Sequence, residues 1–70
     1  MDINKEALNQ SIRRYLKEVG IKSHQTLESQ ILAQASKLGE AQTVKVTMIL
    51  EVEALGLEQR VEGRLTLRGQ

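Results

Sequence analysis

The sequence predicts an α+β fold in the order α-α-β-β, with two N-terminal helices packed on a C-terminal antiparallel β-hairpin. Three observations carry that expectation. Apolar residues recur at three- and four-residue steps through the first half, the helical period. From Val44 onward they alternate with polar ones, the period of a half-buried strand. Glycines stand at the joints, at Gly20, Gly39 and Gly56.

The first helix is placed at about 3–19. Leu8, Ile12, Leu16 and Val19 form its stripe, widened by Ile3, Ala7 and Tyr15. Asp2 or Asn4 can cap its start by accepting a free backbone N–H. Gly20 is expected as a positive-φ stop with Ile21 as its apolar contact. Ser23 is then expected as the next N-cap, opening a second helix at about 24–38 with the stripe Leu27, Ile31, Ala35 and Leu38, widened by Leu32. Gly39 repeats the glycine stop.

The strands are placed at about 43–55 and 58–68. Val44, Val46, Met48, Leu50 and Val52 share one face of the first. Val61, Gly63, Leu65 and Leu67 share one face of the second. A two-residue Gly56-Leu57 loop suits a type II′ turn. It would set Val52 against Val61, Met48 against Leu65 and Val46 against Leu67. Glu53 would then meet Arg60 on the outer face, and Gly63 would face Leu50 and leave room for a bulge or a close approach.

At 70 residues the chain has room for one domain, 1–70. A chain this short buries only about 60% of its unfolded surface, and small domains add disulfides, metals or partners. There is no cysteine and a single histidine, His24. Disulfides and thiolate metal sites are therefore excluded, and oligomerisation is the supplement left. A lone hairpin also has two unpaired edges. The expected partner is a second copy, in a homodimer joined through a hairpin edge. No apolar run approaches the roughly 18 residues of a membrane span, and the polar start "MDINKEALNQ" is unlike a signal peptide. The expected location is the cytoplasm.

"SIRRYLKEVGIKSHQTLESQI" followed by "LEVEALGLEQRVEGRLTL" resembles a family of short bacterial proteins known only as a domain of unknown function, over about Ser11 to Leu67. Ser11-Ile12-Arg13, Tyr15 before Leu16-Lys17, Val19-Gly20 and the "GLE" of the hairpin turn carry the likeness. In that pattern an acidic residue would stand at Thr26 and complete a capping box with Ser23. The resemblance implies a compact bacterial domain and brings no activity, cofactor or catalytic residue.

No enzyme constellation is legible, and no cofactor is expected. Ser23-His24 reads as a cap and a first-turn histidine; sequence adjacency is not triad geometry. Glu51, Glu53, Glu58 and Glu62 alternate with Arg60 and Arg64 and read as a solvated charge ladder. The expected role is a non-enzymatic protein-interaction or structural module that self-associates. Candidate contact residues are the basic cluster Arg13, Arg14 and Lys17, whose bland reading is a solvated helix face, and the apolar Ile49, Leu55 and Leu57, grouped on the outer hairpin face near its tip. The alternative is a DNA-binding helix-turn-helix with a hairpin wing, using His24, Gln25, Gln30 and Gln34 of its second helix. A net charge of only +1 argues against it.

Overall fold

The computed structural model describes residues 2–68. The element order is α1 (Lys5–Ala33), α2 (Ala35–Leu38), β1 (Thr43–Val52), a 3-10 turn (Glu53–Leu55) and β2 (Leu57–Thr66). This is the α-α-β-β order read from the sequence. The chain divides into two compact units, 1–35 and 36–70.

In the first unit the helix boundary moves. Asn4 is the N-cap, its Oδ1 accepting from the Ala7 N–H at 3.0 Å. From there α1 runs without interruption for 29 residues, about 44 Å at 1.5 Å per residue. The expected corner over Gly20 to Ser23 is helical. Gly20 is not among the positive-φ glycines, and Ser23 is a helix-interior residue, not a cap.

The reason is energetic. A glycine inside a helix costs about 1 kcal/mol relative to alanine. Stopping and restarting would require a second costly nucleation. Lys22 Nζ lies 3.2 Å from Glu18 Oε2, bridging Gly20 at i,i+4, and His24 Nε2 lies 3.7 Å from Glu28 Oε1 in the next turn. An exposed Glu–Lys pair of this kind supports a helix by a few tenths of a kcal/mol. The half-buried residues Val19, Ser23, Leu27 and Ile31 step by four across the supposed corner, so the two expected stripes are one. The helix ends later, at Gln34 (φ −116°, ψ 30°), whose N–H donates to Gln30 C=O at 3.0 Å.

In the second unit, Gly39 (φ 57°) ends α2, in keeping with the expected glycine stop. Arg68 then ties the far end of the chain to this joint. Its guanidinium donates to the carbonyls of Gly39, at 2.8 Å, and Ala41. The hairpin forms, but in another register. Thr43 pairs with Thr66, Met48 with Val61 and Val52 with Leu57, so each β1 residue meets a β2 residue four positions earlier than the expected one.

The turn causes this shift. Glu53-Ala54-Leu55 are good helix formers and close a 3-10 turn, with the Gly56 N–H donating to Glu53 C=O at 3.1 Å. Gly56 follows at φ 61°, ψ 29°, in the left-handed region where glycine is favoured. The connection is thus a four-residue loop, a common hairpin type, and not a type II′ turn. A four-residue slip is even, so each side chain keeps its face. Gly63 now opposes Val46, in a ladder without a bulge, and a Cβ added to it would sit 3.9 Å from Val46 Cγ1, an ordinary contact.

Candidate functional site

The register sorts the hairpin into two faces and two edges. Val44, Val46, Met48, Leu50 and Val52 share the apolar face with Leu57, Val61 and Leu65. None of them is buried, and no side chain is buried among the described residues. The opposite face carries Thr43, Lys45, Thr47, Ile49 and Glu51 of β1 and Glu58, Arg60, Glu62, Arg64 and Thr66 of β2.

The edges follow from one hydrogen bond. The Leu67 N–H donates to Gln42 C=O at 2.8 Å, just beyond the ladder and in phase with it. Antiparallel pairs alternate between hydrogen-bonded and non-hydrogen-bonded. Val44/Leu65, Val46/Gly63 and Met48/Val61 are therefore hydrogen-bonded pairs. The backbone groups of Lys45, Thr47, Ile49 and Glu51 point out along the β1 edge. Those of Glu58, Arg60, Glu62 and Arg64 point out along the β2 edge.

The charges of the polar face are poorly matched within the hairpin. Glu51 stands opposite Glu58, and Lys45 opposite Arg64. Both are non-hydrogen-bonded pairs, where side chains approach most closely, and like charges so placed are destabilising. The one ion pair of this face among the described residues is diagonal, with Lys45 Nζ 3.8 Å from Glu62 Oε2. Arg64 Nη1 reaches Thr43 Oγ1 at only 3.4 Å.

The candidate residues separate into three groups. Lys17 lies four residues from Arg13 and three from Arg14 on α1, and the three share one exposed helix side. The expected trio of Ile49, Leu55 and Leu57 does not assemble on one face. Ile49 lies on the polar face, Leu57 on the apolar face beside Val52, and Leu55 in the 3-10 turn, 74% exposed. The grouping came from the wrong register.

The four nucleic-acid candidates also disperse. Gln25 and Gln30, five residues apart on an uninterrupted helix, project about 140° apart, and Gln34 lies past the end of α1 as its C-cap. Gln34 Nε2 donates to Gln30 Oε1 at 2.6 Å, engaging one group of each amide. With residues 20–23 helical, the turn of a helix-turn-helix is not formed, and no recognition helix is set off from a supporting one.

Among the described residues no three His, Cys, Asp or Glu side chains are grouped to hold a metal ion. No described helix is long and apolar enough to cross a membrane. The feature with chemical content is the pair of open edges, above all the alternating Glu58-Arg60-Glu62-Arg64 row, which sequence reasoning treated as a solvated ladder.

Residues 3–68 match the family of unknown function DUF6494, and the chain belongs to that family. Comparison with curated proteins and with solved structures gives no match.

Proposed function

We propose that this member of the family is a cytoplasmic, non-enzymatic interaction module that associates with itself, a homodimer joined through a hairpin edge in which residues 1–70 act as one domain. The observation that carries the reading is a two-stranded sheet with both edges open in a chain whose described residues include no buried side chain. A solitary hairpin is marginal in water; three or more strands, or packing against a helix, give independent stability. Two-fold pairing supplies further strands from the same sequence. It also uses the same edge on both copies, so the assembly closes and does not grow into a fibre.

Light scattering on the purified protein at micromolar concentration tests this. The expected mass is twice the 7.9 kDa of one chain. A mass of one chain at every such concentration, with the secondary structure intact, would overturn the proposal.

A further inference from the structure

We propose that the edge used is that of β2, and that it pairs antiparallel with β2 of a second copy about a two-fold axis passing beside Val61. This rests on the self-association reading above and names its surface and register.

Along the β2 edge the polar face reads Glu58, Arg60, Glu62, Arg64. Reversed, the row reads Arg, Glu, Arg, Glu, the opposite sign at each position. An antiparallel two-fold centred on the row thus sets Glu58 against Arg64 of the second copy and Arg60 against its Glu62, with the symmetry mates of both. Each strand turns outward the backbone N–H and C=O groups of these same four residues, so the ion-paired positions are also the hydrogen-bonded ones. Every charge in the row finds an opposite partner in this arrangement.

The register observed inside the hairpin makes that match more useful. Glu58 has Glu51 on its inner side and Arg64 has Lys45. Across the two-fold, Glu58 gains an arginine and Arg64 gains a glutamate. The second copy offsets the two like-charge contacts that β1 imposes.

Charge also selects one register. Sliding the second strand by one hydrogen-bonding step in one direction sets Glu62 against Glu62 and Arg60 against Arg64. Sliding it one step the other way sets Arg60 against Arg60 and Glu58 against Glu62. Like charges directly opposite each other are unfavourable. The apolar face stays continuous in the favoured register, with Val61 against Val61, Leu57 against Leu65 and Gln59 against Gly63. Val61 is 57% exposed in the single chain, on the face where the two copies meet.

The β1 edge serves this purpose less well. Its outward residues are Thr43, Lys45, Thr47, Ile49 and Glu51. Its best two-fold, centred at Met48, yields only Lys45 against Glu51 and the symmetry mate. Charges on an edge commonly prevent strand addition, and a lysine on β1 fits that role. An alternating row that complements itself on reversal does not repel its own copy.

Cysteine cross-linking tests the register, since the chain has no cysteine of its own. At a non-hydrogen-bonded antiparallel pair the Cα atoms are about 4.5 Å apart, within the roughly 4.4–6.8 Å that a disulfide spans. A Val61→Cys chain is expected to form a disulfide-linked dimer under mild oxidation. A Met48→Cys chain, reporting on the β1 edge, is expected to do so at least about tenfold more slowly. Mixing Leu57→Cys with Leu65→Cys chains is expected to give a mixed dimer that neither gives alone, a second readout should Val61→Cys fold poorly. Cross-linking through Met48→Cys in place of Val61→Cys would overturn the β2 register and leave self-association standing. So would a dimer seen by light scattering that neither Val61→Cys nor the mixture traps. A monomeric wild-type chain would sink the underlying reading instead.

Discussion

Gly20→Pro is expected to break α1 near its middle and to destabilise it by about 3 kcal/mol or more, while Gly20→Ala is expected to stabilise it by about 1 kcal/mol. Proline removes the N–H that residue 20 donates to the Leu16 carbonyl one turn earlier, and its ring collides with that carbonyl. Alanine keeps the bond and reduces the conformational freedom of the unfolded chain. Nothing lies within 4 Å of where the new Cβ would stand. If Gly20 instead ended one helix before another began, the sign for alanine would change: it would be strained at a left-handed position, where proline, with φ held near −65°, would not fit either. Thermal unfolding followed by far-ultraviolet circular dichroism reads both variants. A loss of stability in Gly20→Ala would restore the two-helix interpretation.

Glu62→Pro is expected to weaken self-association about a hundredfold while leaving the hairpin formed. The Glu62 N–H points along the open β2 edge, so proline removes no bond of the hairpin ladder. Proline is tolerated in strands at such edge positions. In the paired edge that N–H donates to Arg60 C=O of the second copy, and the symmetry mate does the same. Losing two hydrogen bonds of roughly 1–1.5 kcal/mol each corresponds to about a hundredfold in affinity, and the two exposed Glu62–Arg60 pairs lost with them add little. Thr47→Pro places the same ring on the β1 edge and is expected to leave the dimer intact. Sedimentation across a concentration series compares the two. Equal weakening by both would mean that the β2 edge is not special.

The parts of the fold that depend on side-chain period were legible in the sequence. The alternation from Val44 to Val52 assigned each of those residues to its observed face, Asn4 was one of the two helix caps the sequence offered, and Gly39 was identified as a helix stop. Two features were not legible, for different reasons. The hairpin register slipped by four residues, and an even slip preserves every inside and outside assignment, so the alternation could not detect it. The missed signal was the helical propensity of Glu53-Ala54-Leu55 ahead of a glycine, which favours a 3-10 turn closed by a left-handed residue. The corner at Gly20 was over-read because a glycine followed by a serine resembles a stop and a cap. Yet Val19 and Leu27 are eight residues apart, little more than two helical turns, and that shared phase pointed to one helix.

The candidate site was less visible than the fold. The Glu-Arg-Glu-Arg row could be read from residues 58 to 64, but its meaning depends on what stands beside it. In the expected register Arg60 met Glu53 and Glu62 stood against Glu51 with arginines on its diagonals, so the row read as a ladder balanced within the hairpin. In the observed register Glu51 meets Glu58 and Lys45 meets Arg64, leaving charges whose natural complement is the same strand reversed. The same correction separated Ile49 from Leu57 and dissolved the apolar patch proposed at the hairpin tip.

Residue-resolved amide hydrogen exchange over a range of protein concentrations tests the claim of β2-edge association most directly. The N–H groups of Glu58, Arg60, Glu62 and Arg64 are expected to gain protection as concentration rises. Those of Thr47 and Ile49, on the other open edge, are expected to exchange quickly throughout. Fast, concentration-independent exchange at all four β2 positions would contradict the account.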